Sequence, residues 1–527
     1  MSTTTAAEPL GDEGLPIRWA KVVDHTSCIG CHACTTACKS ENEVPLGVTR
    51  TYVKAVDVGV FPQARRAFQV TRCNQCEDAP CTIACPTSAM YRRDDGIVDF
   101  DKSACIGCKA CIAACPYDAI FINPDDGSAE KCNFCAHRID VGLEPACVTV
   151  CPTQAILVGD LNDPGSKVAQ IAYREPVQVR RPEKETLPKL FYRGAHQATL
   201  DPLAARRPDG GLFMWSEQQD DAHHVVSGHP ADGPERETRG SSSAAAVLAY
   251  DVAHSRPWDW RVSLYTLTKG IAAGAFLVAQ LLALLGVLAV ESNLFQWGAP
   301  IVSGIFLALT GGLLIWDLEH PERFYLIFTR PQWKSWLVRG GFVLGAYGAA
   351  LAIHCALAWF DPGSTLQEVL SFAAVPVAVL AAVYTAYLFA QSKARDLWQS
   401  PLLPPHLLVQ AMLAGSAALL PVAWVWQPFV VDPLLKLVFW FGLFHLLMVW
   451  GETTLTHVTA HARLASWEMV RGRYRGYFWS GVALVAVAMV TAIVAPDLAH
   501  GTAVAALLGL LAFEHAYVQA GQSVPLA

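Results

Sequence analysis

The cysteines constrain this chain more than any other feature of its sequence. Sixteen of its 17 cysteines lie between residues 28 and 151, in four groups of four. In chain order the groups are Cys28, Cys31, Cys34 and Cys38; Cys73, Cys76, Cys81 and Cys85; Cys105, Cys108, Cys111 and Cys115; and Cys132, Cys135, Cys147 and Cys151. Groups one and three have the spacing C-x2-C-x2-C-x3-C, in which three thiolates on a tight loop hold three corners of a four-iron cluster. The pattern predicts four [4Fe–4S] clusters.

Two other uses of cysteine compete with this interpretation. Disulfides are typical of small secreted chains, and residues 1–17 have neither the apolar core of a signal peptide nor a twin-arginine pair. We expect those residues to form a disordered leader. Zinc sites use C-x2-C pairs, but not triple runs that end in C-x3-C-P. Both alternatives stay open here, and clusters are favoured.

The order of the groups predicts which cysteines share a cluster. In bacterial ferredoxins the fourth cysteine of such a run binds the other cluster of a pair. Applied here, this rule gives four nested sets and predicts an electron relay. The sets are Cys28, Cys31, Cys34 and Cys151; Cys38, Cys132, Cys135 and Cys147; Cys73, Cys76, Cys81 and Cys115; and Cys85, Cys105, Cys108 and Cys111. Residues 119–122 and 155–158 are predicted as short strands, and Lys39, Lys109 and Arg138 as solvated surface charges.

The second half of the chain is apolar. Eight runs are long enough to cross a bilayer, at about 20 residues per crossing: 264–290, 297–316, 336–359, 367–390, 405–427, 432–456, 476–495 and 498–520. We therefore predict an α+β bis-ferredoxin-like iron–sulfur domain over 18–160 and an all-α bundle of eight transmembrane helices over 259–527. Residues 161–258 are rich in Pro, Gly and charge, which predicts an extended connector that wraps the iron–sulfur domain. Its more apolar stretch LPKLFYRGAHQATLDP (187–202) is expected to dock on that domain. The connector's two adjacent histidines, His223 and His224, are expected to be a solvated pair.

Loop charge predicts the orientation of the bundle. One side carries nearly all the basic residues, namely Arg323, Arg330, Lys334, Lys393, Arg395, Arg463, Arg471, Arg473 and Arg475. The positive-inside rule places that side, both termini and the cysteine domain in the cytoplasm. We expect a multi-pass protein of the inner (cytoplasmic) membrane. The net charge of −7 gives no reason to expect nucleic-acid binding.

Ionisable residues at membrane depth are candidate functional groups, because burying a charge there is costly. Most lie near the helix ends that face the cysteine domain. Imidazoles and carboxylates can hydrogen-bond a ligand and carry protons, so the candidate binding residues are Lys269, Asp317, His320, His445, Glu452 and His457. The family resemblance described below implies that the ligand is a quinone. The alternative for each is a structural role, such as a hydrated turn at 317–323. Tyr265 is predicted to be an interfacial anchor.

Both halves resemble known proteins. Residues 18–160 resemble the four-cluster electron-transfer subunit of molybdopterin oxidoreductases, of the polysulfide, dimethyl-sulfoxide and formate dehydrogenase type. The membrane half resembles the NrfD or polysulfide-reductase-C family of quinone-interacting subunits. The matching segments are LYTLTKGIAAGAFLVA (264–279), DLEHPERFYLIFTRPQWKSW (317–336) and SPLLPPHLLVQAMLAGSAAL (400–419).

The resemblance implies a fused electron-transfer and membrane-anchor subunit. It would connect a molybdenum or tungsten catalytic partner to menaquinone or ubiquinone, without a substrate-oxidising site of its own. The cytoplasmic orientation favours a formate dehydrogenase-like partner, with a sulfur-compound oxidoreductase second. The alternatives are a proton-translocating module, a hydrogenase-associated quinone-reducing subunit and a passive anchor. A higher-order oligomer is compatible with each.

Overall fold

The computed structural model of the protein describes residues 15–206 and 246–527. Residues 1–14 of the predicted leader, and the histidine pair at 223 and 224, lie outside the described residues.

The cysteine-rich part is built from short strands and short helices. In chain order, the elements are β1 (Trp19–Asp24), α1 (Ala33–Glu41), β2 (Thr51–Val58), β3 (Arg65–Arg72), α2 (Pro80–Ala84), β4 (Met90–Arg92), β5 (Val98–Phe100), α3 (Ala110–Ala114), β6 (Ile120–Ile122), β7 (Ala129–Lys131), α4 (Ala136–Ile139), α5 (Ala146–Thr149), β8 (Ile156–Asp160), α6 (Lys167–Arg174), β9 (Val177–Gln178), β10 (Leu190–Arg193), α7 (Gln197–Leu200) and β11 (Ala246–Tyr250). A four-stranded sheet has the order β8-β1-β10-β9, a three-stranded sheet the order β11-β2-β3, and β4–β5 and β6–β7 are hairpins. These sheets frame the cysteine loops on several sides.

The described parts of residues 161–258 lie against the iron–sulfur domain, where the sequence predicts that an extended connector wraps and docks. Strand β10, inside the stretch 187–202, pairs in parallel with β1, so that Lys21 lies opposite Leu190. Strand β11 pairs with β2 in the antiparallel sense. These parts therefore complete both sheets of the iron–sulfur domain. The composition does not predict the strands themselves, because a short strand among Pro and Gly residues becomes regular only when a partner strand satisfies its backbone.

The membrane half contains eleven α-helices within the described residues: α8 (Trp260–Leu284), α9 (Ala299–Trp316), α10 (Leu326–Thr329), α11 (Trp336–Phe360), α12 (Thr365–Ala373), α13 (Val375–Gln391), α14 (Leu403–Trp426), α15 (Val431–Thr454), α16 (Ala460–Val470), α17 (Arg475–Val494) and α18 (Ala499–Gly521). Eight spans are long and apolar enough to cross a membrane. The helices α12 and α13 share one span, and the shorter helices α10 and α16 belong to none. The predicted fold class, an α+β iron–sulfur domain before an eight-helix transmembrane bundle, is confirmed.

The first span crosses the fifth at a contact between glycines. A Cβ added to Gly274 on α8 would overlap the Ala411 carbonyl oxygen, and one added to Gly415 on α14 would overlap the Gly274 carbonyl carbon. Small residues allow this approach, which adds van der Waals contact between helices that lipid does not force together.

Gly274→Ala is expected to lower the free energy of unfolding by about 1–3 kcal/mol, because the two helices must separate to admit one methyl group. Unfolding followed by circular dichroism in detergent measures the loss. The control is Gly304→Ala on α9, where an added Cβ meets no atom within 4 Å. Equal stability of the two variants would contradict the close crossing.

The iron–sulfur domain rests on the loop between α9 and α11. Arg323 donates to the Cys105 carbonyl oxygen at 3.0 Å, and the Ser335 hydroxyl donates to the Ala84 carbonyl oxygen at 2.9 Å. Lys109 pairs with Glu319 at 2.8 Å. The prediction that Lys109 is a solvated surface charge is wrong, because the loop of the membrane half covers it.

A half-buried histidine also fixes the segment that enters the membrane. The Nδ1 atom of His254 lies 2.5 Å from an Asp118 carboxylate oxygen, and Nε2 lies 3.2 Å from Asp251. Burial alone would lower the pKa of His254, but the two carboxylates outweigh it and raise the pKa to about 10.

His254→Gln is expected to lower the free energy of unfolding at pH 7 by about 1.5–3 kcal/mol, the usual contribution of a hydrogen bond to a charged group. Since the folded-state pKa is raised, the contribution is complete below the unfolded pKa near 6.5 and is lost as pH rises through about 10. Thermal unfolding between pH 6 and 10.5 should show the wild type and variant converging. His137→Gln is the control, since His137 pairs with Glu41 at the surface and such pairs contribute little. A difference that does not depend on pH would contradict the ion pair.

Candidate functional site

The cysteine thiols interact across different stretches of the chain: Cys28 with Cys151, Cys38 with Cys132, Cys81 with Cys115, and Cys108 with Cys85. All 17 cysteines are free thiols. The electrostatic interactions between thiols agree with four groups of four. We name these groups as follows: site 1 is Cys28, Cys31, Cys34 and Cys151; site 2 is Cys38, Cys132, Cys135 and Cys147; site 3 is Cys73, Cys76, Cys81 and Cys115; and site 4 is Cys85, Cys105, Cys108 and Cys111.

The local backbone suits cluster ligation. Gly107 and Lys109 both have positive φ, which curls the loop between the site 4 cysteines. Backbone amides donate to the thiol sulfurs, as from Gly107 to Cys105 at 3.4 Å and from Ala155 to Cys151 at 3.2 Å. The four cysteines of site 4 also line one cavity. In residues 15–206 and 246–527, no three His, Cys, Asp or Glu side chains converge closely enough to hold a single metal ion.

The four sites form a series from the protein surface to the bundle. Cys31 of site 1 is exposed. Cys34 of site 1 interacts with Cys147 of site 2, and Cys111 of site 4 interacts with Cys81 of site 3. Gln75 lies between Cys73 and Cys76 of site 3 in the sequence. Its side-chain amide donates to the carbonyl oxygen of Cys132 of site 2 at 2.8 Å, so sites 2 and 3 are neighbours. Site 4 is closest to the membrane helices.

Site 2 has an unusually positive environment. The Arg72 guanidinium donates to Cys147 Sγ at 3.0 Å, and the Lys21 ammonium lies 3.8 Å from the same sulfur. Burial raises the pKa of Cys147, but the two cations outweigh it and lower the pKa to about 7. These charges favour a thiolate at neutral pH and would stabilise added electrons at this site.

A cavity of about 270 Å³ adjoins site 4 inside the membrane half. Its walls come from α8, α9, α11 and α13 and are mostly apolar, and Cys108 of site 4 is part of the lining. Trp258 closes one side and donates from its indole nitrogen to the Cys108 carbonyl oxygen at 3.3 Å. Apart from Trp258 and Cys108, three side chains in the lining carry polar groups: Asp317, Tyr265 and Tyr384. An apolar pocket with few polar groups beside a redox site suits a lipid-soluble electron carrier.

Asp317 is the charged group of this cavity. Its Oδ1 atom is buried and has no hydrogen-bond partner, although Arg261 and Lys109 lie 3.7 and 3.9 Å away. Burial raises the pKa of Asp317 to about 6, against the effect of the two cations. The Tyr265 hydroxyl is also buried without a hydrogen-bond partner. Two unsatisfied groups in one cavity wall are available to a ligand with two oxygens.

More than half of the protein, residues 250–524, matches the family described as polysulphide reductase, NrfD. This chain is a member of the NrfD family. Residues 64–161 match a 4Fe-4S dicluster domain. The NrfD-family chain therefore joins an iron–sulfur electron-transfer domain to a multi-pass membrane domain, as the sequence predicts.

Curated relatives match about a third of this chain. A tetrathionate reductase subunit of Salmonella typhimurium is 40% identical over 218 residues, which are 40% of this chain and 84% of that protein. A polysulfide reductase chain of Wolinella succinogenes is 43% identical over 177 residues, 33% of this chain and 93% of that protein. Protein NrfC of Escherichia coli is 42% identical over 178 residues, 33% of this chain and 80% of that protein.

The six candidate quinone residues of this NrfD-family chain lie in three places. Asp317 lines the cavity, and Lys269 lies behind it with its ammonium 5.2 Å from the Tyr384 ring centre. His320 points away, with Nε2 bonded to the Asp126 carbonyl oxygen at 2.8 Å, at the contact between the domains. The other three, His445, Glu452 and His457, lie together on the second half of α15 and in the loop after it. His445 and Glu452 contact His406, which is near the start of α14, and His457 interacts with Glu452.

Sequence reasoning missed the two cavity tyrosines. Tyr265 is buried and lines the cavity, so the prediction of an interfacial anchor is wrong. Tyr384 is buried in the same wall. The signal available in the sequence is their position: both lie within apolar spans, where a buried tyrosine hydroxyl needs a partner, although Tyr265 is only the second residue of the predicted span 264–290.

Proposed function

We propose that this chain relays electrons between a membrane quinol and a catalytic partner that reduces an oxidised sulfur compound. The observation that carries the proposal is the cavity whose wall includes Cys108, at the membrane end of four cysteine sites in series. Sites 1 to 4 would each hold one [4Fe–4S] cluster through their four thiolates. Such clusters, when bound, accept and donate single electrons.

The cavity supplies the binding and proton chemistry. One quinol hydroxyl would donate to the free Oδ1 of Asp317, and the other would bond the Tyr265 hydroxyl. A carboxylate with a pKa near 6 can take up a proton at neutral pH. Arg261 and Lys109 lie beside Asp317 and would hold that end of the quinol ring in place. Trp258 and the apolar walls exclude bulk water.

The partner is inferred from resemblance and from the relatives. The chain has no substrate site of its own in this proposal, and the partner would carry molybdenum or tungsten, as the resemblance implies. The relatives named above include tetrathionate and polysulfide reductase subunits, so we place a sulfur-compound reductase ahead of formate dehydrogenase. The word reductase in their names favours electron flow from quinol to partner.

The proposed orientation keeps the iron–sulfur domain in the cytoplasm, with the exposed Cys31 end of the relay available to the partner. The loop charges support this arrangement. Protease treatment of spheroplasts should leave the iron–sulfur domain intact and cut it only after lysis. Cleavage in intact spheroplasts would reverse the orientation.

Purification of the native complex through a tag on this chain tests the proposal. We expect about 16 irons per chain from four four-iron clusters, a large partner that contains molybdenum or tungsten, and oxidation of a quinol analogue. If the chain held this much iron but purified with a hydrogenase, the relay would stand and the proposed sulfur-compound reductase partner would be wrong. Zinc in place of iron would overturn the relay.

A further inference from the structure

We infer that a buried row of polar side chains carries the second quinol proton from the cavity to the surface beside His457. The inference rests on the proposed function, because it assigns an exit for a proton that quinol oxidation releases. The row is defined by Thr385, Lys269, Glu514, Thr266, Gln410, His406, Glu452 and His445. It runs sideways through the part of the bundle nearest the iron–sulfur domain.

The row begins behind the tyrosine wall of the cavity. The Lys269 ammonium donates to the Thr385 hydroxyl at 2.8 Å and to the Ala382 carbonyl oxygen at 2.7 Å. Thr385 is also the polar neighbour of the Tyr265 hydroxyl. A proton leaving Tyr265 therefore meets the Thr385 hydroxyl and then Lys269, which accepts it once the ammonium has released its own proton towards Glu514.

The next step crosses from α8 to α18. Lys269 and Glu514 interact electrostatically, and Glu514 accepts a hydrogen bond from the Thr266 hydroxyl at 2.7 Å. Lys269 and Glu514 are 1% and 6% exposed. Burying this pair costs free energy that an apolar pair would save, so a structural role alone explains it poorly.

A small cavity joins the two halves of the row. It measures about 20 Å³, and its polar lining comes from Thr266, Glu514, His406 and Gln410. That volume suffices for one water molecule, and four polar neighbours are enough to bind it. Gln410 also lies 3.4 Å from His406 Nε2.

The row ends in a group of carboxylate and imidazoles. His406 Nδ1 lies 3.0 Å from a Glu452 carboxylate oxygen, and His406 Nε2 lies 2.9 Å from His445 Nδ1. The second Glu452 oxygen is buried without a hydrogen-bond partner. Glu452 interacts with the half-buried His457 in the loop after α15. Each ring or carboxylate here can accept one proton while it releases another.

The proton balance needs two exits. A quinol that becomes a quinone loses two electrons and two protons; the electrons pass singly to the iron–sulfur relay of the proposed function. Asp317 takes one proton at its end of the cavity. The row takes the other from the Tyr265 end, and each transfer breaks one O–H or N–H bond as the next forms.

The test uses the full chain in lipid nanodiscs, with decylubiquinol as donor and ferricyanide as acceptor at the exposed site 1. His406→Gln and Glu514→Gln are expected to lower kcat about 10- to 100-fold with KM unchanged, as loss of proton transfer does. The solvent deuterium isotope effect on kcat should rise. Iron content and the dithionite-reduced EPR spectrum should stay as in the wild type, and Glu514→Asp should recover much of the rate.

His354→Gln is the matched control, since His354 is a buried histidine of α11 outside the row. Wild-type kcat and isotope effect in both row variants would overturn this inference and leave the proposed function standing. A wild-type chain with full iron content that oxidises no quinol would overturn both.

Discussion

Asp317→Asn is expected to lower the kcat of decylubiquinol oxidation by about 100-fold, a loss typical of a removed general base. Asparagine has nearly the same size as aspartate, yet it cannot take a proton from the quinol. The free Oδ1 in the cavity wall would be replaced by a group without charge or basicity. Initial rates at several quinol concentrations measure kcat and KM separately.

Glu322→Gln is the control for this variant. Glu322 is an exposed carboxylate five residues away, and it pairs with His320 outside the cavity. We expect its rates to equal those of the wild type. If Asp317→Asn turned over quinol as fast as this control, with iron content unchanged, the cavity beside Cys108 would not be the site of quinol oxidation.

The cysteine pattern constrains its part of the site strongly, because spacing along the sequence and cluster geometry leave few solutions. Four thiolates must surround each cubane, and a C-x2-C-x2-C loop places three of them. The nested sets follow from the order of the groups as a prediction, which is consistent with the interactions between thiols of different groups. The eight spans can also be predicted from the sequence, since the length of an apolar run is a local property of the sequence.

The cavity depends on contacts between distant parts of the protein, so sequence reasoning cannot place it. Its walls combine helices α8, α9, α11 and α13, and nothing in one apolar run reveals which face meets another run. The sequence alone therefore assigns Tyr265 to the membrane surface and His320 to the quinone. His320 instead joins the two domains, because the loop that carries it folds over the Gly107 turn of site 4.

The same limit applies to the charges near the clusters. The sequence neighbours of Lys109 give it no partner and predict a solvated side chain, yet Glu319 reaches it from more than 200 residues away. Lys109 holds the membrane loop against site 4, and it lies beside the Asp317 carboxylate at the cavity. In the proposed function, the electron and proton steps would therefore meet at this interface.

Arg72→Met is expected to lower the reduction potential most at site 2, by about 65–130 mV, and less at site 1, whose Cys34 also interacts with Arg72. The Arg72 guanidinium donates to Cys147 Sγ at 3.0 Å inside the protein, where a hydrogen bond to a charged group contributes about 1.5–3 kcal/mol. For a one-electron couple, 59 mV corresponds to a tenfold change. The sign is downward because reduction adds negative charge, which the lost cation had stabilised. An EPR-monitored redox titration resolves the four potentials.

Arg66→Met is the matched control, because Arg66 lies on the same strand, β3, but pairs with Asp57 at the surface. Its four potentials should equal those of the wild type, since solvent screens an exposed charge. A change that is largest at site 2, smaller at site 1 and absent at sites 3 and 4 in Arg72→Met is what a series of separate sites requires. Equal shifts at all four clusters, or none at any, would contradict the position of Arg72 beside Cys147 of site 2 and Cys34 of site 1.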